Sequence, residues 1–219
     1  MKGAALKYSW LTWRRDQLWF PLAFLALFIV IVLIMRHPQV RFSLARAYLG
    51  FILPLIGGIL AAYGVLDDPA LELRFSTPVR AEQTLLARVG LILAVQAACA
   101  LAFQLFVGAL GIDLSPLGGL FRVQLVWFLP TLSLAVLASA GALAGAQTAM
   151  GAFLAGAVWL VQLLMNSWLR LNARSVFLFL GVLAPDHPDL ALNQIVLFAG
   201  SMALLLVSWA LLRRQERYL

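Results

Sequence analysis

Few residues in this chain could do chemistry. The only histidines are His37 and His187, each beside a proline, and the only cysteine is Cys99. Two histidines on separate loops would need carboxylates or thiolates at ligand spacing to hold a metal. None accompanies them, so they read as solvated loop residues and no metal site is expected. Cys99 lies in an apolar run, where a thiol packs as a small buried group, and it has no partner for an internal disulfide. Asp67–Asp68 lacks the second acidic motif that metal–diphosphate chemistry would require, and Ser133 and Ser139 have no base to activate them. No catalytic set emerges. What remains is four amides in apolar surroundings: Gln96, Gln104, Gln162 and Asn166. An amide in hydrocarbon needs a partner, so each is expected to face protein or a water-filled path. Gln162 and Asn166, at i and i+4, would share one face of a continuous helix. The four are candidates either for hydrogen-bonded helix contacts, including a dimer interface, or for the lining of a pathway. The first reading is favoured.

The surroundings of these amides define the class. Of 219 residues, 63% are hydrophobic and only 11% charged, against roughly 25% charged in soluble domains. Such a chain is expected to be an all-α membrane protein, because lipid leaves no partner for unpaired backbone groups outside helices or closed barrels. The net charge of +7 then points to cytoplasmic-side cations and anionic headgroups rather than to nucleic acid.

A crossing helix takes about 20 apolar residues. The charge-free intervals predict spans at Gln17–Met35, Ala47–Leu66, Val89–Ile112 and Leu190–Leu212. They also predict a hairpin of two spans within Val123–Leu169, turning near Ala144–Gly151. That makes six. Gly141 and Gly145 in the hairpin would allow close helix approach. Ser175–Pro185 is about half the length of a span, so it is expected to dip into the membrane as a re-entrant or interfacial helix within an external segment, 170–189. Six spans place both termini on one side. Lys2, Lys7, Arg14, Arg15, Arg213, Arg214 and Arg217 make that side cytoplasmic, although Arg36, Arg41, Arg46, Arg122, Arg170 and Arg174 fall opposite. Residues 1–16 lack a signal-peptide core. With Leu6, Trp10 and Trp13 on one face and Lys7 and Arg14 beside it, they predict an amphipathic helix lying in the interface.

Between the second and third spans lies a polar island, DDPALELRFSTPVRAEQTLLAR, residues 67–88, with four of the nine acidic residues of the chain. Asp68–Pro69 is a helix-start signal. The residue before Pro78 is pushed away from helical angles, which ends that helix near Ser76, and Thr77–Pro78 starts another. Two helices this short are unstable alone and need a partner to pack on.

The wording and place of this island resemble the cytoplasmic loop of the permease subunits of type-2 ABC exporters. The matching residues are Leu71, Glu72, Leu73, Ser76, Thr77, Pro78, Val79, Arg80, Leu85, Leu86 and Arg88; the usual Gly-Thr before the Leu-Glu-Leu is Pro69–Ala70 here. The layout is similar as well, with the interfacial start in the place of the family's elbow helix and the re-entrant piece in that of its external helices. The resemblance implies a single permease domain, 1–219, exporting cargo by alternating access at a dimer interface. Its partners would be a second permease chain, identical or related, and two ABC ATPase subunits. No phosphate-cradling G-x-x-x-x-G-K-[ST] loop occurs in the chain, so ATP and Mg would sit on those subunits. This chain would then be no enzyme and bind no cofactor itself. Leu71 and Phe75, at i and i+4, would anchor the coupling helix in a groove of the ATPase, while Glu72, Arg74 and Arg80 set its register by charge, with Leu73, Thr77 and Pro78 completing the contact. With no sizeable external domain, a small amphiphile or lipid-like cargo is expected. The alternatives from other classes are a polytopic lipid-modifying enzyme, which would need clustered ionisable groups at one depth, and a membrane scaffold.

Overall fold

The computed structural model describes residues 16–66 and 81–212. The expected elbow helix and the body of the coupling loop, 67–80, lie outside the described residues. Among those described there is no strand. The helices are α1 (Asp16–Ile34), α2 (Pro38–Ala47), α3 (Leu53–Leu66), α4 (Ala81–Ala109), α5 (Leu120–Gly145), α6 (Thr148–Leu164), α7 (Asn166–Asn172), α8 (Leu180–Leu183) and α9 (Leu190–Leu212).

Four helical stretches are long and apolar enough to cross a membrane: Pro38–Leu66, Leu85–Ala109, Leu120–Gly145 and Leu190–Leu212. The bent pair α6–α7 makes a fifth if counted as one span, and α1 is a shorter apolar helix.

Helix boundaries follow local chemistry. His37 is extended (φ −80°, ψ 124°) because Pro38 follows it, and Pro38 starts α2 where a missing N–H costs nothing. The second span therefore begins nine residues before the expected Ala47, and Arg41 and Arg46 sit on a helix rather than in a loop. A π-turn, Tyr48–Ile52, joins α2 to α3, with Leu53 N–H donating to Tyr48 O. Pro54 explains it: proline has no N–H for the carbonyl four residues back, and its ring crowds that turn. The freed geometry is used from outside, since Trp159 Nε1 donates to Phe51 O at 2.9 Å.

The end of α4 is a Schellman closure. Gly111 takes φ +71°, Ile112 N–H donates to Val107 O at 3.1 Å and Gly111 N–H to Gly108 O at 2.9 Å. In the loop that follows, the Asp113 carboxylate accepts from the Ser115 hydroxyl and backbone N–H. Those two bonds, the side-chain one first, hold the exposed Asp113 below its ordinary carboxylate range. The α5–α6 hairpin turns at Ala146–Gln147, inside the expected window, with Ala146 left-handed at φ 49°.

α5 is the central post, packing on α3, α6 and α9, while α9 is peripheral and largely uncovered. Small residues bring the central helices together. A Cβ on Gly57 would meet Thr131 Cγ2 at 2.6 Å, one on Gly58 would press on Leu134 and Ala155, and one on Gly151 would strike the Ala138 carbonyl. Gly141 lies against Gly151 and Leu154, so the small-residue pattern of the hairpin does work at the α5–α6 contact. A second core forms around Tyr48, stacked between Phe28 and Phe103 with Cys99 and Trp127 alongside.

Two expected features differ. The fifth span does not run to Leu169: α6 ends at Leu164 and the chain bends by 80° at Met165 into α7. And Ser175–Pro185 is not mainly helical. It comprises a 3-10 turn, Arg174–Val176, an irregular stretch and the four-residue α8. Phe177, Phe179 and Leu180 are completely buried, so the piece is a plug in the protein rather than a helix lying in the interface.

Candidate functional site

The apolar belt holds a small set of polar side chains, and the structure distributes them among four environments. The first is the base of the segment 67–80, the expected coupling loop. Leu71, Glu72, Leu73, Arg74, Phe75, Thr77, Pro78 and Arg80 lie outside the described residues, but the two helices that carry the loop do not. Arg88 on α4 donates from Nη1 to Gly64 O in the last turn of α3. A cation on the closing carbonyls of a helix is favoured by the helix dipole as well as by the hydrogen bond. The two ends of the loop are thus tied beneath it.

The second is an amide pair. Gln104 on α4 and Gln124 on α5 exchange hydrogen bonds, Gln124 Nε2 to Gln104 Oε1 at 2.8 Å and Gln104 Nε2 to Gln124 Oε1 at 3.3 Å. Trp127 Nε1 adds a third bond to Gln124 Oε1 at 2.9 Å. Gln104 is therefore glue between helices of one chain, and Gln124 is the partner that sequence reasoning missed.

The third is Gln96, fully buried near the middle of α4. Its side chain lies against Gly57, beside Thr131. Neither amide atom has a hydrogen-bond partner, and the same holds for the hydroxyl of buried Tyr48. Thr131 turns its own hydroxyl back to Trp127 O.

The fourth environment is the most elaborate and encloses the plug. Gln162 donates to Val176 O at 3.1 Å and accepts from Leu178 N–H at 2.9 Å, bridging two backbone groups that no helix satisfies. Asn193, near the start of α9 and almost wholly buried, donates from Nδ2 toward Arg174 O, Ser175 O and Phe177 O at 2.7, 3.2 and 2.9 Å. Irregular backbone is tolerated at membrane depth only where protein satisfies it, and these two amides do so here. Arg174, at the start of the plug, places Nη1 on Asp189 Oδ2 at 3.1 Å and Nε on Arg170 O at 2.9 Å. His187 Nδ1 accepts from Asp189 N–H.

Gln162 and Asn166 do not share a helical face, because the break at Met165 falls between them; Asn166 instead donates to Leu163 O across the bend. Beneath the plug, a groove of about 200 Å³ lies between α5, α6 and α9. Its walls are apolar except for Gln162 and a Ser133–Ser201 hydroxyl pair at 2.9 Å. Among the described residues no group of His, Cys, Asp or Glu could hold a metal ion. The arrangement can bind an apolar or amphiphilic group, and it offers no nucleophile–base pair. Comparison of the chain with family models, with curated proteins and with solved structures finds no match.

Proposed function

We propose that this chain is the membrane-spanning subunit of an ATP-driven exporter of the type-2 ABC kind, moving a small amphiphilic or lipid-like cargo by alternating access between two permease chains. In this reading the six spans are α1, α2–α3, α4, α5, α6–α7 and α9. The plug at Arg174–Leu183 is the external re-entrant element, residues 1–16 form the elbow helix, and both termini face the cytoplasm of the cell membrane. The observation that carries the reading is the island 67–88, where Leu71-Glu72-Leu73 and Ser76-Thr77-Pro78-Val79-Arg80 resemble the family's coupling loop. The tie from Arg88 to Gly64 O supports it mechanically. A loop whose two supporting helices are joined at its base passes a push to both of them as one body. ATP and Mg belong to the partner ATPase.

The test is co-purification with ABC ATPase subunits encoded beside this chain. Glu72→Lys and Phe75→Asp are expected to leave the chain inserted while reducing ATPase capture and cargo-dependent ATP hydrolysis by about ten-fold, the loss of a charge register or of an apolar anchor at an interface. Undiminished capture and hydrolysis in both variants would remove the island from any coupling role and leave the exporter reading without its main support.

A further inference from the structure

We propose that α7 is a membrane-surface anchor: Trp168 and Leu171 enter the boundary between headgroups and acyl chains, and the plug is held at that level through Leu169. The partner is the lipid surface itself. The inference rests on α6 crossing a bilayer and not on the exporter reading.

Three observations carry it. The first is direction. α6 has 17 residues, about 26 Å at the usual helical rise, which nearly fills a hydrocarbon core of ~30 Å. The chain then bends by 80° into α7. With α6 at an ordinary tilt of about 20°, α7 lies within about 30° of the membrane plane, at the depth where α6 leaves the hydrocarbon. The second observation is the order of side chains around α7. Trp168 and Leu171, three residues apart, share one face and are 53% and 70% exposed. Asn166 and Arg170, four apart, share the opposite face, and Arg170 is exposed. Leu169 points a third way and is buried in one cluster with Phe177, Phe179 and Leu180 of the plug. An apolar face carrying tryptophan, backed by arginine, is the pattern of a helix lying in the interface, with indole at headgroup depth and guanidinium toward phosphate. The third is extent. Two side chains of this size cover at most roughly 500 Å², short of the ~800 Å² that each partner gives to a stable protein contact. Lipid, in contrast, surrounds a crossing helix wherever protein does not cover it. The plug is fixed to this anchor twice, through Leu169 and through Arg174 Nε, which donates to Arg170 O at 2.9 Å.

The test is depth-dependent quenching in phosphatidylcholine vesicles. On a Cys99→Ala background, Trp168→Cys, Leu171→Cys and, as a control in the body of α6, Leu160→Cys each carry an environment-sensitive fluorophore at an exposed position. The quenchers are phosphatidylcholines bearing a nitroxide near the glycerol end or near the methyl end of one acyl chain, and an aqueous cobalt salt. At 168 and 171 the glycerol-end nitroxide is expected to quench about two-fold more strongly than the other two, and at 160 the methyl-end one should dominate. A phosphatidylcholine with a photoactivatable group near its glycerol should crosslink the wild type within 164–172, a readout that needs no variant. Strongest quenching at 168 and 171 by the methyl-end nitroxide overturns the proposal, because α7 would then continue the span. Quenching by cobalt alone overturns it in favour of a solvated helix, and quenching by none of the three in favour of a second copy covering the face. The hold on the plug is read by amide exchange. Trp168→Ser with Leu171→Ser should speed exchange at Phe177–Leu180 about ten-fold, and Trp168→Tyr alone, which keeps an amphipathic ring at that depth, should leave it as in the wild type. Unchanged exchange in the double variant would show that the plug does not depend on the anchor and overturn that half of the proposal.

Discussion

Gln96 and Gln104 stand two turns apart on α4 and make opposite use of the same side chain. Gln104 is fully engaged with Gln124, while both amide atoms of Gln96 are buried without a partner. Burying an unpaired amide costs about 1–3 kcal/mol, and leucine has similar bulk without that cost. Gln96→Leu is therefore expected to stabilise this arrangement of helices by about 1–2 kcal/mol, read as a rise in the midpoint of unfolding in micelles. Gln104→Leu should do the reverse, losing about 1 kcal/mol as Gln124 gives up its reciprocal bonds. A loss of stability in Gln96→Leu would show that the amide is satisfied in the membrane after all. The sequence marked both glutamines as needing partners, but it could not separate them. Partnership depends on what the facing helix offers at that depth, which is Gln124 in one case and Gly57 with Thr131 in the other. Asn193 escaped notice for a related reason. It lies near the start of a charge-free run, and its role appears only once the plug folds back onto it.

Elements were legible where local chemistry sets their ends. The apolar runs located α1 and α9, and the small residues of 144–151 located the hairpin turn. The break at Met165 was not legible, because no glycine or proline stands near it. Asn166 bonding back to Leu163 O and Gln162 bridging to the plug stabilise the bent form; the first is local to the bend, while the second exists only once the plug packs against α6. The hairpin turn carries its own test. Ala146 is held left-handed, a conformation that costs an L-residue with a Cβ roughly 1–2 kcal/mol and glycine almost nothing. Ala146→Gly should stabilise the chain by about 1 kcal/mol. Ala144→Gly, two residues earlier and within α5, should destabilise it by about the same amount. Matched unfolding titrations would check the pair; destabilisation by both would mean that the turn is not left-handed at this residue.

At the scale of the whole molecule the open question is which ends of the bundle share a side of the membrane. Charge alone gives a divided answer, since the expected six-span layout would place six arginines opposite the basic termini. The helices supply a firmer argument. If α2–α3, α4, α5, the bent α6–α7 and α9 each cross, the α4–α5 loop and the plug region share one side, and the α5–α6 turn lies on the other. On that layout the plug would begin and end on one side, and its irregular backbone, satisfied by Gln162 and Asn193 within the protein, would need no exit through lipid. Cysteine labelling reads this directly. Cys99 is buried, so a Cys99→Ala background should be silent toward an impermeant maleimide. On it, Ser115→Cys, Asn172→Cys and Asp186→Cys, all at exposed positions, are expected to label from the outside of intact cells, and Gln147→Cys only after the membrane is opened. Labelling of Asn172→Cys and Asp186→Cys from opposite sides would make the plug a crossing segment, reverse α9 and separate the two termini. Uniform reversal of all four would keep the fold and invert its orientation, placing the island 67–88 where no cytoplasmic ATPase could reach it.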